Sequence, residues 1–151
     1  MRLVIQRVSF AEVTIDNKSV GKIEQGLLIL VGIEDTDTKD DADWLAKKVV
    51  GMRIFNDNQG KMNLSVLDIN GNILVISQFT LHASTKKGNR PSFIKAASPD
   101  KAIPLYEYFK EKISDLLGKN VESGKFGAYM QVNLINDGPV TIIMDSKIKD
   151  F

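Results

Sequence analysis

Gly26-Leu27-Leu28-Ile29-Leu30-Val31-Gly32-Ile33 is a continuous apolar run. It is far shorter than the roughly 18–20 residues that a membrane span needs. Its length and its Ile/Val/Leu content predict a strand buried on both faces. Upstream, Met1–Ile15 predicts a long strand, with Leu3, Ile5, Val13 and Ile15 on one face by the two-residue period. Asn17-Lys18 predicts a turn into a second strand around Val20–Ile23.

Downstream, Thr38 is placed to cap a helix, with Asp40 and Asp41 in its first turn. Leu45, Val49 and Met52 follow at helical spacing, carrying that helix to about Gly51. Six acidic residues between Glu34 and Asp43 raise the question of a calcium loop. The spacing rejects it: Lys39 takes a ligand position, Asp40 replaces the turn glycine and Ala46 replaces the closing glutamate. Arg53–Asn56 reads as a short strand, followed by a turn at Asp57–Gly60. Leu64–Asp68 and Ile73–Leu81 read as strands meeting in a hairpin across Asn70-Gly71-Asn72.

After a loop over 82–97, Ser98-Pro99-Asp100 marks a helix start. Its buried stripe is Ala102, Leu105, Tyr106, Phe109, Ile113 and Leu116, and Gly118 closes it. Pro104 either kinks this helix or marks its true start. Strands at Phe126–Ile135 and Val140–Met144, joined by Asn136-Asp137-Gly138-Pro139, complete the chain. Many strands with two helices predict a single α+β domain over residues 1–151, the helices covering a curved sheet or sheets.

Composition narrows the function. Hydrophobic residues make up 43% and charged residues 26%, an ordinary globular balance that argues against disorder. With no cysteine there is no disulfide framework, thiolate zinc site or Cys–His pair. No signal peptide is visible at Met1–Arg7, and no run is long enough for a membrane span. A cytoplasmic protein without membrane contact is expected. A net charge of +1 argues against gripping nucleic acid through overall charge, but Lys86-Lys87-Gly88-Asn89-Arg90, followed by Lys95, is a local basic patch. It reads equally as a solvated loop or a phosphate contact.

His82 is the single histidine, and no Gly-x-Ser-x-Gly surrounds any serine, so a Ser-His-Asp triad has little support. Neither Gly-x-Gly-x-x-Gly nor a Walker loop is present. No metal or cofactor is expected. What remains unusual is Ile73–Leu81, apolar through Ile76 and then polar as Ser77-Gln78-Phe79-Thr80. Alternation would put Gln78 and Thr80 on one face, Ser77 and Phe79 on the other. Such a strand end is either a site or a strand emerging into water. Asn136–Pro139 alone is similarly ambiguous, since Gly-Pro between strands is a plain turn in most proteins. Arg7 shares strand parity with Leu3 and Ile5, so it faces inward unless a bulge rotates it out.

Taken together, Met1–Val8, Ser77-Gln78-Phe79-Thr80-Leu81, Arg90-Pro91-Ser92-Phe93, Gly124–Met130 and Asn136-Asp137-Gly138-Pro139-Val140-Thr141 resemble D-aminoacyl-tRNA deacylases, in the same order and spacing over essentially the whole chain. The resemblance implies a β-barrel-like α+β domain working as a homodimer. It implies a cis Gly138-Pro139 bond inserted into the partner subunit's active site as a chiral gate, braced by Arg7 with Asn136 in support. Ser77, Gln78, Phe79 and Thr80 would line the pocket for the 3′-terminal adenosine of aminoacylated tRNA and its aminoacyl group. Phe126, Ala128 and Met130 would form the adjoining wall, with Gly127 and Tyr129 at variable positions of that motif. Lys86, Lys87 and Arg90 would meet acceptor-stem phosphates. The implied reaction hydrolyses the ester of D-aminoacyl-tRNA and rejects the L-form. Glycyl-tRNA, as on mischarged tRNA-Ala, would be a secondary substrate. An aminoacyl ester is already activated, so the tRNA's own 2′-hydroxyl could assist attack; the alternative makes the Thr80 hydroxyl the nucleophile.

Overall fold

The computed structural model describes residues 1–150; Phe151, the last residue of the expected domain, lies outside the described residues. Long-range pairing organises the fold around one strand, β1 (Arg2–Ile15). Its two halves pair on one edge with different partners: the first with β3 (Gly26–Gly32), the second with β2 (Lys18–Ile23). Along the opposite edge runs β8 (Gln131–Asp145), paired with β1 from Arg2↔Asp145 to Thr14↔Gln131. β3 pairs in parallel with β6 (Asn72–Ser77), and β6 with the short β7 (Glu122–Ser123). β2 approaches β6 and β7, so the mixed sheet curls into a nearly closed barrel. A separate ribbon pairs β4 (Phe55–Asn56) with β5 (Met62–Leu64).

The apolar run at 26–33 is buried on both sides, as its composition predicts. Leu27, Ile29 and Val31 join the core beneath the helices, while Leu28 packs with Val8, Val13, Leu74 and Ile76 inside the curled sheet. β1 itself does not keep one face. Leu3 and Ile5 enter the helix-side core, whereas Val8, Ala11 and Val13 enter the other. Register shifts at Val8 and its neighbours explain the exchange, because a bulge changes which parity faces inward. The turn into β2 is Asp16-Asn17, both with positive φ (49° and 61°), as a tight hairpin with right-handed strands requires.

Helix α1 (Lys39–Gly51) begins as expected. The Asp41 carboxylate reaches back to accept from the Thr38 N–H at 2.8 Å, closing the cap. Burial pushes that carboxyl's pKa up. The Lys147 ammonium at 2.8 Å and hydrogen bonds from Ser146 and Thr38 outweigh burial and hold it well below the usual range. Helix α2 (Pro99–Leu117) contains Pro104 within its span, so its start is Pro99. Ser98 precedes it but its hydroxyl makes no capping bond. The buried stripe ends at Leu117 rather than Leu116, which is exposed, since the 3.6-residue period carries Ile113 to position 117. Both helices cover the Leu3/Leu27/Ile73 side of the sheet.

Three expected elements differ. Residues 65–71 are not a strand. Asp68 accepts from the Ser65 N–H and hydroxyl, both at 2.7 Å, and Gly71 N–H donates to the Val66 carbonyl, coiling the segment locally. Asn70-Gly71 thus makes a tight turn, and β6 pairs with β3 instead of a hairpin partner. Second, β6 ends at Ser77, and Phe79–His82 is a 3-10 turn. Third, Phe126–Met130 is not strand; the expected last two strands are one, β8, continuous through the Gly-Pro sequence.

Among the described residues no helix is long and apolar enough to cross a membrane.

Candidate active site

β6 delivers the polar segment to the end of the parallel pair, where Gln78 N–H donates to the Val31 carbonyl at 2.7 Å. The chain then tightens into the 3-10 turn. Leu81 is the first residue whose N–H bonds within it, to Gln78 O at 3.2 Å. The amides of Phe79 and Thr80 therefore lie outside the turn's own ladder.

The turn is held from beneath by two features. Arg2 donates through Nη1 to the Leu81 carbonyl at 2.8 Å while pairing with Asp145. Gly32 leaves room for it: a Cβ there would stand 2.9 Å from Leu81 Cβ and 3.0 Å from His82 Cδ2. His82 is buried, and its Nε2 has no hydrogen-bond partner. It packs under the turn and does not bond Thr80.

A cavity of about 260 Å³ opens between this turn and the segment leading into β8. Ser77, Gln78 and Phe79 line one side; Phe126, Ala128 and Met130 line the other, with Gly127 and Tyr129 between them. Every one of the wall residues expected from the sequence is here. Phe126 is fixed edge-on against Tyr106, centroids 5.8 Å apart. Burial pushes the Tyr106 hydroxyl's pKa up, keeping it a donor to the Val75 carbonyl at 2.9 Å. Thr80 does not line the cavity directly. Its Oγ1 accepts from Gln78 Nε2 at 2.6 Å, so Gln78 and Thr80 meet, although through a turn rather than strand alternation. No basic group among the described residues hydrogen-bonds the Thr80 hydroxyl.

Phe79, half exposed, packs edge-on against Phe93 at 5.1 Å. That contact, with the reciprocal Ser84–Ser92 backbone bonds at 2.8 and 2.9 Å, ties the 84–92 loop to the cavity rim. Lys86, Lys87 and Arg90 are exposed on that loop.

Gly138 and Pro139 stand apart from the cavity. Between the pairs Gln6↔Thr141 and Val8↔Asn136, β1 supplies only Arg7 while β8 supplies Asp137, Gly138, Pro139 and Val140. The result is a wide bulge with Gly138 and Pro139 exposed and a cis Gly138-Pro139 peptide. Gly138 has φ 134°, and a Cβ there would lie 3.0 Å from Arg7 Nη2. Arg7 does face inward. Its Nε donates to the Asp137 carbonyl at 3.0 Å and its Nη1 to the Ile54 carbonyl at 2.7 Å. Asn136 Nδ2 donates across the base of the bulge to Arg7 O and Val140 O.

A larger cleft, about 520 Å³, lies between α2 and β7. Glu107, Glu111, Asp115 and Glu122 line it with a single lysine, Lys110, which pairs with Glu107, so its net negative charge disfavours a phosphate.

A family model described as D-Tyr-tRNA(Tyr) deacylase matches residues 4–145. The chain belongs to the D-aminoacyl-tRNA deacylase family. It is 62% identical over 150 residues to the D-aminoacyl-tRNA deacylase of Phocaeicola vulgatus, covering 99% of this chain and all of that protein. Identity to the D-aminoacyl-tRNA deacylase of Akkermansia muciniphila is 63% over the same span and coverage. Among solved structures, the c-Myc DNA Unwinding Element Binding Protein superposes with a TM-score of 0.91 at 39% identity, covering 96% of this chain and 98% of that one. A probable eukaryotic D-amino acid tRNA deacylase superposes at 0.81 with 18% identity, a likeness of fold.

Within this deacylase fold the sequence reading missed three groups that hold the site. Arg2 anchors the 3-10 turn, and Ile54 and Asn56 receive the Arg7 guanidinium. A glycine inside an apolar strand, Gly32, was the available sign that something packs closely against β3.

Proposed function

We propose that the protein is a cytoplasmic homodimeric hydrolase that cleaves the ester of D-aminoacyl-tRNA to free D-amino acid and tRNA. The observation that carries this reading is the pairing, across one cavity, of the Ser77–Phe79 segment with the Phe126–Met130 wall. The apolar wall suits an adenine and the aminoacyl group. The unladdered amides of Phe79 and Thr80 can take the carbonyl oxygen as charge develops on it.

In this reading attack is assisted by the tRNA 2′-hydroxyl. Thr80 accepts a hydrogen bond from an amide and has no base to take its proton, which leaves it poorly equipped as a nucleophile. Gly138 and Pro139 act as the chiral gate of the partner subunit's cavity, with Arg7 and Asn136 bracing the bulge; their exposure, away from the cavity of their own chain, supports a role in trans. A gate made of main chain excludes the L-side chain by sterics without reading the D-side chain. Glycine offers nothing to exclude, so glycyl-tRNA mischarged on tRNA-Ala is a secondary substrate. Lys86, Lys87 and Arg90 contact acceptor-stem phosphates. Release of free amino acid from D-aminoacyl-tRNA, with L-aminoacyl-tRNA spared, is the test; equal rates on both would remove the gate.

A second reading has one observation in its favour: a chain 39% identical and superposable over 96% of this one is named for binding a DNA unwinding element. A nucleic-acid-binding module without hydrolysis would bind tRNA in a filter assay yet leave the ester intact.

A further inference from the structure

Tyr129 is 88% exposed, although it is aromatic and lies within a compact rim. It belongs to two depressions at once. On one side is the cavity of Phe79, Ala128 and Met130; on the other is a second groove of about 140 Å³ lined by Thr14, Asp16, Asn17 and Gln131. The tyrosine is the residue that lines both.

The chemistry of the second groove is specific. It has hydrogen-bonding side chains and no lysine or arginine in its lining. The Asp16 carboxylate repels phosphate, so the groove suits a base rather than the backbone. A carboxylate accepts from the exocyclic amine of cytosine, and amides such as Asn17 and Gln131 can donate to its ring nitrogen and carbonyl. Asp16 and Asn17 are the two positive-φ residues of the β1–β2 turn, and Gln131 opens β8 beside it. An exposed aromatic ring beside such a set is the usual platform for an unstacked single-stranded base.

We propose that Tyr129 is the stacking platform for the nucleotide preceding the terminal adenosine, and that Asp16 reads that nucleotide as cytosine. The inference rests on the deacylase reading and deepens it: the terminal adenosine fills the first cavity and the single-stranded end leaves across Tyr129.

Two measurements test it. The first compares D-aminoacyl-adenosine with a D-aminoacyl cytidylyl-adenosine dinucleotide under single turnover. In wild type the added cytidine should lower the half-saturating concentration by about tenfold, the scale of one base–aromatic stack. Tyr129→Ala should abolish that gain and Tyr129→Phe should keep it. Asp16→Ala should erase any preference for cytidine over uridine at that position. An undiminished gain in Tyr129→Ala, or no gain in wild type, overturns the proposal. The second needs no turnover. An uncleavable amide-linked acceptor stem carries 2-aminopurine at the penultimate position, and its fluorescence should be quenched by wild type and Tyr129→Phe but not by Tyr129→Ala. Equal quenching by all three overturns the proposal. Failure of wild type to cleave any aminoacyl ester would instead overturn the assigned reaction, and the fluorescence result would still decide the role of Tyr129.

Discussion

The Nε of Arg7 donates to the main-chain carbonyl of Asp137 at 3.0 Å, so a buried strand residue fixes the backbone of an exposed bulge on its neighbour. The same guanidinium holds the Ile54 carbonyl at 2.7 Å, clamping β8 to the segment before β4.

Arg7→Met leaves both carbonyls without their donor. The expected cost is about 2–3 kcal/mol of stability, the range for hydrogen bonds to a charged group. Selectivity between D- and L-aminoacyl-tRNA should fall with it. Arg7→Lys should not restore selectivity, because a single ammonium cannot span two carbonyls in the guanidinium's fixed fork. Urea unfolding with paired D- and L-substrate assays checks this; unchanged selectivity in Arg7→Met would show that the bulge needs no brace.

Thr80→Ala should retain a single-turnover rate within about tenfold of wild type, the scale of one neutral hydrogen bond rather than a lost nucleophile. A substrate ending in 2′-deoxyadenosine, esterified on the 3′-oxygen, should react far more slowly with the wild-type enzyme. The reverse pattern, a crippled Thr80→Ala and a normal deoxy substrate, would make Thr80 the nucleophile. Single-turnover rates separate chemistry from product release.

Gly32→Ala forces a methyl to 2.9 Å from Leu81 Cβ and 3.2 Å from the Gln78 carbonyl. Overpacking of this kind costs about 1–3 kcal/mol. Because the displaced atoms belong to the 3-10 turn, kcat/KM should fall by more than the folded fraction does. Thermal melts and kinetics on the same samples check it, and activity in proportion to the folded fraction counts against the turn's placement as critical.

Acid stability should track Asp41. Its folded-state pKa lies below the ordinary value of 3.8, because the bonds from Lys147, Ser146 and Thr38 outweigh burial. A depressed carboxyl contributes stability above its unfolded pKa and loses it as pH falls through the folded one. Asp41→Ala should therefore be about 1–2 kcal/mol less stable than wild type at pH 7, the scale of a lost helix cap. The gap should shrink steadily as pH drops below 3.8. Urea midpoints at neutral and acid pH decide this; a constant gap would place the stabilisation elsewhere.

Much of this was legible in the sequence, and the failures share a cause. The run at 26–33, the Thr38–Asp41 start of α1 and the Gly118 stop are local signals, and each element formed where expected. Arg7 was readable as inward from parity alone, but its acceptors were not. A backbone carbonyl at Ile54 has no sequence signature. Asn70-Gly71 misled because left-handed conformations serve tight turns of several kinds, and only the parallel pairing of Asn72 with Gly26 settles which. Gly138-Pro139 misled in the opposite sense: a sequence that usually ends strands is absorbed here, since the missing Pro139 N–H falls within a bulge. Ser77–Phe79 and Phe126–Met130, singled out in the sequence, do line one cavity, while its geometry, a strand end entering a 3-10 turn opposite a loop, was not legible.

The fifteen residues of β8 carry the continuation of the cavity wall at Val132 and the bulge at Asp137–Val140 in one strand, whose register with β1 shifts only on either side of Val8. Adding or deleting a single residue between Gln131 and Asn136 would turn each intervening side chain to the opposite face. It would also slide the bulge away from Arg7. Lineages of this protein can therefore change length cheaply in the exposed 84–92 loop, whereas β8 can drift in composition but not in length. Gap-free spacing from position 131 to 145 is the mark that descent should leave on this family.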